Sequence, residues 1–351
     1  MTDHRLSRLV LACLLASAAA LTSAAEVGGA ATTRESSASS DINASAVTPA
    51  SAQARAEASF RARDYAGAVD WSLRYFKEGG NDSRMRSLLA RASYFSNDFE
   101  NAARNLHVEV SQAERANLAP TEEGLKLLAA CYARLNDITG QIWALEKLVT
   151  YYPKREHWAE LILQTEKRAN LSEGLALDLW RLKLATGTLQ TSADYLQAVK
   201  LALGAGYPAD AKAMLDKGFA SGVLGTGAEA DNHRRLRDSV ARQTAEGKKA
   251  ASDREPPAPA SAPRFGSPQI DAGFRLVGYG ETARGIAMME RELQQAGSKR
   301  PQVDKLHLGI AYLMAGRKSE AIAIFKTVTG VHGAADLGRL WYLYALRSSM
   351  S

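Results

Sequence analysis

The chain has only two cysteines in 351 residues, Cys13 and Cys131, so disulfides cannot carry its stability. It has no sustained alternation of apolar and polar residues, which excludes a sheet-based fold. Its main apolar run, Leu9 to Leu21, covers 13 residues. That is short of the roughly 20 needed for a membrane-crossing helix. Histidines are sparse and scattered: His107, His157, His233, His307 and His332 follow the N-terminal region, and none sits one helical turn from another. Neither a local metal motif nor a Cys-His nucleophile is legible in that spacing, and no metal or other cofactor is expected. Gly278, Gly280 and Gly285 give G-x-G-x4-G with no strand before it, which fits a helix turn better than a dinucleotide loop. Gly222, Gly225 and Gly227 read as helix C-caps. No carboxylate pair stands out as isolated in apolar surroundings, so no catalytic residues are assigned and the chain reads as a non-enzyme.

At the N-terminus, Arg5 and Arg8 precede the apolar run, and Thr22-Ser23-Ala24-Ala25 follows it. A basic start, a short apolar stretch and small residues describe a secretory signal peptide, expected to be cleaved after Ala25, with export to the periplasm and no stable membrane insertion afterwards. A lipoprotein reading through Cys13 would leave only Leu9 to Ala12 as apolar core. Cleavage removes Asp3, Arg5 and Arg8 and leaves 42 basic against 37 acidic residues. This mild excess favours acidic partners, whereas dense basic clusters of the nucleic-acid-binding kind are lacking. Residues 26–50 are Ala, Ser, Thr and Gly and are expected to form a flexible leader. Half of the 10 prolines fall between 247 and 269, which marks a Pro-rich linker. It divides a helical domain over 51–246 from a C-terminal one over 270–351, and is expected to let the last units swing.

What is present is helical periodicity, with apolar residues at i, i+3, i+4 and i+7 among Ala, Leu, Glu, Lys and Arg. The expected fold is all-α. A turn signature recurs: Arg63-Asp64-Tyr65, Asn97-Asp98-Phe99, Asn136-Asp137-Ile138, Ala169-Asn170-Leu171, Gly206-Tyr207-Pro208, Gly280-Glu281-Thr282 and Gly316-Arg317-Lys318. Successive turns lie 33 to 39 residues apart, with one gap of 74 that spans the linker.

Leu308-Gly309-Ile310-Ala311-Tyr312-Leu313-Met314-Ala315-Gly316, followed by Ala321 and Phe325, carries the large-small-large pattern of a two-helix unit. Together with the period, it resembles the tetratricopeptide repeat (TPR), partially matched elsewhere by Leu89, Ala90 and Ala102, by Leu128, Ala129 and Tyr132, and by Trp158 and Leu161. The resemblance implies an α-solenoid of helix-turn-helix repeats that binds other proteins on the wall lined by the first helices. The family's groove positions fall on Arg91, Tyr94, Lys126, Arg134, Lys167 and Lys200. Five are cationic, which implies an acidic or extended peptide partner. A narrower stretch, 145–158 with 179–187, is similar to periplasmic TPR proteins that accompany TonB, ExbB and ExbD energy-transduction systems. The expected function is thus a periplasmic scaffold or adaptor, with glycan or peptidoglycan binding through Tyr94, Tyr151, Tyr152 and Trp158, or a role beside a cell-wall enzyme, as the alternative. Cys131 and the tryptophans are expected to fill helix interfaces. Arg234, Arg235, Arg237, Arg242, Lys248 and Lys249 are expected to form a solvated helix end.

Overall fold

The computed structural model describes residues 47–169, 171–253, 267–295, 300–330 and 333–347. The expected signal peptide, nearly all of the expected leader, the central linker prolines, Asn170 and His332 lie outside the described residues. Among the described residues there are 16 helices and no strand. They are α1 (Pro49–Arg61), α2 (Tyr65–Lys77), α3 (Ser83–Phe95), α4 (Phe99–Arg115), α5 (Glu122–Arg134), α6 (Ile138–Tyr151), α7 (Arg155–Ala169) and α8 (Glu173–Thr186). There follow α9 (Ser192–Gly204), α10 (Pro208–Ala220), α11 (Ala230–Ser252), α12 (Pro268–Gly278), α13 (Thr282–Gln294), α14 (Pro301–Met314), α15 (Lys318–Phe325) and α16 (Ala334–Arg347). The fold is an α-solenoid of TPR-like hairpins, in which consecutive helices pack on one another.

The recurring turn is one backbone device. Arg63, Asn97, Asn136, Gly206, Gly280 and Gly316 all adopt left-handed φ, between 56° and 94°. The next residue's N–H then donates back five positions: Asp64 to Ser59, Asp98 to Ser93, Asp137 to Tyr132, Tyr207 to Ala202, Glu281 to Leu276 and Arg317 to Tyr312, at 2.8–2.9 Å. This closes one helix as a Schellman motif. In the first three turns the aspartate also opens the next helix, since Asp64, Asp98 and Asp137 accept from the N–H groups of Gly67, Asn101 and Gly140 at 2.9–3.1 Å. Such a cap is worth about 0.5–2 kcal/mol. Pro49, Pro208, Pro268 and Pro301 each occupy the first turn of a helix, where the missing N–H has no helical partner to lose.

The chain divides into two compact units, with the boundary at Ala144 and Leu145 inside α6. In the first unit, α1 packs on α2, α3 on α4, and the leading helices α1, α3 and α5 are neighbours in order. Ala52, Ala56, Tyr75 and Met85 form one buried cluster, while Leu89, Leu106, Leu125, Leu128 and Cys131 are buried further along.

The second unit closes on itself. Gly273 and Gly285 let α12 and α13 cross closely: a Cβ on Gly273 would stand 2.7 Å from the Gly285 carbonyl oxygen. At Gly309 a Cβ would overlap the Phe325 ring, so α14 and α15 meet at the small residue that the sequence pattern singles out. The last helices do not swing free of the earlier ones. Helix α12 packs on α10, and α16 on α7 and α8. Trp158 of α7, fully buried, meets Tyr344 of α16 edge-on at 6.4 Å. Residues 247–252, read from sequence as linker, complete the 23-residue α11, and the helix α1 begins two residues before the expected end of the leader. Proline content marked the linker, but Gly247 to Ser252 precede the first of those prolines and nothing stops the helix there.

Candidate functional site

In the first unit, the aromatic residues at the helix ends form a connected set of half-buried rings. Tyr65 stacks on Phe95 at 4.8 Å, Phe60 meets Tyr65 at 5.5 Å and Phe95 at 6.2 Å, and Tyr94 meets Phe95 at 5.7 Å and Phe99 at 5.4 Å. Arginines lie across this set. The Arg91 guanidinium sits 5.0 Å from the centre of Phe60, and that of Arg134 4.6 Å from the centre of Phe99. Arg55 and Arg74 both stack on Trp71, at 4.5 and 5.0 Å, and Arg86 on Phe76 at 5.0 Å. Energetically significant pairs of this kind occur about once per 70–80 residues, so five within 47–144 is a concentration.

Stacking occupies the face of a guanidinium and leaves its N–H edge for an acceptor. Arg91 shows this best. Its Nε is buried and has no hydrogen-bond partner among the described residues. It lines an open groove of about 360 Å³ between α1 and α3, with Glu57, Phe60, Arg84, Met85, Ser87 and Leu88. Glu57 is engaged by Gln53 at 3.0 Å, and Ser87 pairs with Glu109 at 3.0 Å, where burial pushes the Glu109 carboxyl above its usual range. Tyr94 is half-buried, and burial foremost raises its hydroxyl pKa, with Arg134 pulling it the other way.

The structure places Arg91, Tyr94, Lys126 and Arg134 in the first unit and Lys167 and Lys200 in the second, on α7 and α9. Arg91, Tyr94 and Arg134 share the aromatic set. Lys126 is exposed and pairs with Glu122 at 2.7 Å, one turn away on its own helix. Lys167 and Lys200 are exposed. The sequence reading passed over Phe60, Phe95 and Phe99, which support the arginines. Their signal was position: each lies within four residues of a recurring turn.

Other residues take structural places. Cys131 is fully buried, and burial pushes its thiol up to about 12, which suits an inert side chain. Of the four rings proposed to face a sugar, Trp158 is in the core and cannot stack on one. Trp341 is likewise buried, but Trp71, Trp143 and Trp180 are only half-buried, and Trp143 carries the His107 ring stacked at 4.6 Å. On α11, Arg234 pairs with Asp231 at 2.6 Å and Arg237 lies over Phe219 at 4.2 Å, while Arg235, Arg242, Lys248 and Lys249 are exposed.

One histidine, His307, nevertheless converges with several carboxylates inside the second unit. Arg181 of α8 donates to Asp178 at 2.6 Å and to Asp210 at 2.8 Å, with its guanidinium over Phe274 at 4.4 Å and Tyr207 at 4.7 Å. His307 Nε2 meets the other oxygen of Asp178 at 3.0 Å, and Tyr207 donates to Asp271 at 3.0 Å. Asp178, Arg181, Asp271 and His307 are at most 7% exposed. These groups pair with one another across α8, α10, α12 and α14, which makes the cluster a tie between helices. Its trace in the sequence is Leu177-Asp178-Leu179-Trp180-Arg181-Leu182, two charges one turn apart in an apolar run. Among the described residues, no group of three or more His, Cys, Asp or Glu side chains is placed to hold a metal.

No family model matches the chain, and no curated protein matches it. Among solved structures, it is similar to the TPR2AB domain of yeast Sti1 in a pHSP90 complex, at 12% identity and a TM-score of 0.28, covering 85% of this chain and 98% of that one. A tetratricopeptide repeat protein from Parabacteroides merdae aligns at 12% identity and a TM-score of 0.30, over 84% and 98% of the two chains. Yeast Tom70 aligns at 10% identity and a TM-score of 0.21, over 88% and 90%. The repeated turn and the consecutive helical hairpins themselves make this chain a TPR-like α-solenoid in fold.

Proposed function

We propose that the protein is a non-enzymatic adaptor that binds an extended acidic segment, or a carboxylate terminus, of another protein along the arginine and aromatic face of its first unit. The observation that carries this reading is Arg91, laid on Phe60 with its Nε buried beside the α1–α3 groove and unmatched by any acceptor among the described residues. A buried unpaired donor costs free energy, so a carboxylate arriving there is favoured by a charge-assisted hydrogen bond. Arg134, over Phe99 and next to Tyr94, offers a second such contact.

The finer parts of the proposal rest on sequence. Export to the periplasm is supported by Arg5, Arg8, the apolar run and the small residues before Glu26. A partner within a TonB-type system is supported by the resemblance over 145–158 and 179–187. Among the described residues, no helix is long and apolar enough to cross a membrane.

A photo-crosslinking residue in place of Tyr94, in intact cells, tests the binding face. Capture of a protein partner, lost in the Arg91→Glu, Arg134→Glu double variant and weakened by salt, is the expected result. Capture unchanged by charge reversal at low salt would remove the proposed face. Fusion of residues 1–30 to a phosphatase that is active only after export tests the location separately.

A further inference from the structure

We infer that the buried pair of Asp178 on α8 and His307 on α14 is a charge-dependent latch that holds the C-terminal hairpins onto the middle helices more tightly at low pH than at high pH. The pair joins residues 129 apart in sequence, and neither side chain is more than 2% exposed. Around it, Asp178 and Asp210 share the single guanidinium of Arg181 and Asp271 also acts on His307, so a positive imidazole reduces an excess of negative charge.

Each element around α14 contributes identifiable groups. Helix α8 supplies Asp178 and Arg181, α12 supplies Asp271 and Arg275, and α10 with its cap supplies Asp210 and Tyr207. Asp304, on α14 itself, accepts from the Ser267 N–H at 3.2 Å. Several charged groups on the other elements packed against α14 have partners of their own. Glu290 of α13 bonds to Tyr312 at 2.7 Å and to Arg317, Arg284 of α13 to the Ala251 carbonyl at 2.7 Å, Glu320 of α15 to Arg317, and on α16 Asp336 pairs with Arg168 and Arg339 with Glu146.

The chemistry sets a graded response. Nε2 must keep its hydrogen to donate to Asp178, so the proton lost on deprotonation is the one on Nδ1, which has no hydrogen-bond partner. The hydrogen bond survives and the charge does not. Burial, and less strongly Arg181, disfavour the imidazolium, but the charge and hydrogen bond of Asp178 together with the charge of Asp271 lift the His307 pKa above the ordinary 6.5. With the folded value above the unfolded one, the stabilisation is full below about 6.5 and is lost as pH rises through the raised value.

Thermal melts of the full chain, followed by tryptophan fluorescence between pH 6 and 9, read the latch. Wild-type melting temperature is expected to fall with rising pH, by roughly 2–4 °C for a tenfold weakening. His307→Gln, which keeps a donor without the charge, is expected to lose that fall and to resemble wild type at high pH. A His307→Gln variant with the same decline as wild type would overturn the latch. Should the variant not fold, NMR titration of the wild-type imidazole decides: a midpoint above 6.5 supports the latch, and one at or below 6.5 overturns it.

Discussion

Both units lay arginines on aromatic rings, and they use the arrangement in opposite ways. Arg91 and Arg134 rest on Phe60 and Phe99 at the margin of the first unit, and Arg91 keeps an unmatched donor beside a groove. Arg181 in the second unit rests on Phe274 and Tyr207 in the interior, and both its carboxylate partners come from its own chain. Stacking fixes the guanidinium plane in each case. What differs is the acceptor: internal carboxylates make Arg181 part of the scaffold, whereas Arg91, whose Nε has none among the described residues, is the arginine proposed for recognition.

The comparison is broken most directly at its internal side. Asp178→Ala leaves Arg181 with one carboxylate and His307 with none, and should cost about 3–5 kcal/mol, read by denaturant unfolding of the second unit. A loss under about 1 kcal/mol would show that the cluster does not hold the helices. The same carboxylate sets an acid limit. The charges of His307 and Arg181, opposing burial, hold Asp178 below its usual 3.8, so its contribution is present above 3.8 and disappears as pH falls through the lower folded value. Circular dichroism between pH 5 and 2 should show a transition that Asp178→Asn shifts.

Packing inside the second unit gives the next effect. Gly309→Ala places a methyl group against Phe325 and should destabilise by about 1–3 kcal/mol, measured by the shift in denaturation midpoint. In the first unit, Asp98→Ala removes the cap on Asn101 and should cost about 0.5–2 kcal/mol, while Arg63→Gly, which relieves a side chain at φ 62°, should add up to about 1 kcal/mol. An effect of similar size is expected for Arg91→Glu with Arg134→Glu. Losing two cation–π contacts should cost about 1–2 kcal/mol of unfolding free energy while partner capture is lost, and a fall well beyond that would return these arginines to the scaffold.

The hairpins were legible because their signals are local. Asn97-Asp98 and Asn136-Asp137 pair a residue that tolerates the left-handed region with an N-cap, so one dipeptide ends a helix and begins another. Gly309 with Phe325 was legible for the same reason, since the two residues face each other across one short turn. The proposed site was legible in part. Groove register selected Arg91, Tyr94 and Arg134, but it also selected Lys126, whose charge is matched by Glu122 on its own helix. The rings beneath the arginines were missed because nothing in the sequence pairs Phe60 with Arg91 or Phe99 with Arg134, and only the packing of neighbouring helices brings each ring under its guanidinium.

The sequence by itself determined the helical repeat, the turn that separates its helices and the small residues where helices touch, because each depends on residues within about one hairpin. Only the tertiary structure decided that the C-terminal hairpins fold back on α7, α8 and α10, and that Asp178, Arg181, Asp210 and His307 share one buried cluster. Contacts across 129 residues leave no periodic trace, since each partner merely looks like a charge on a helix until packing removes the water between them.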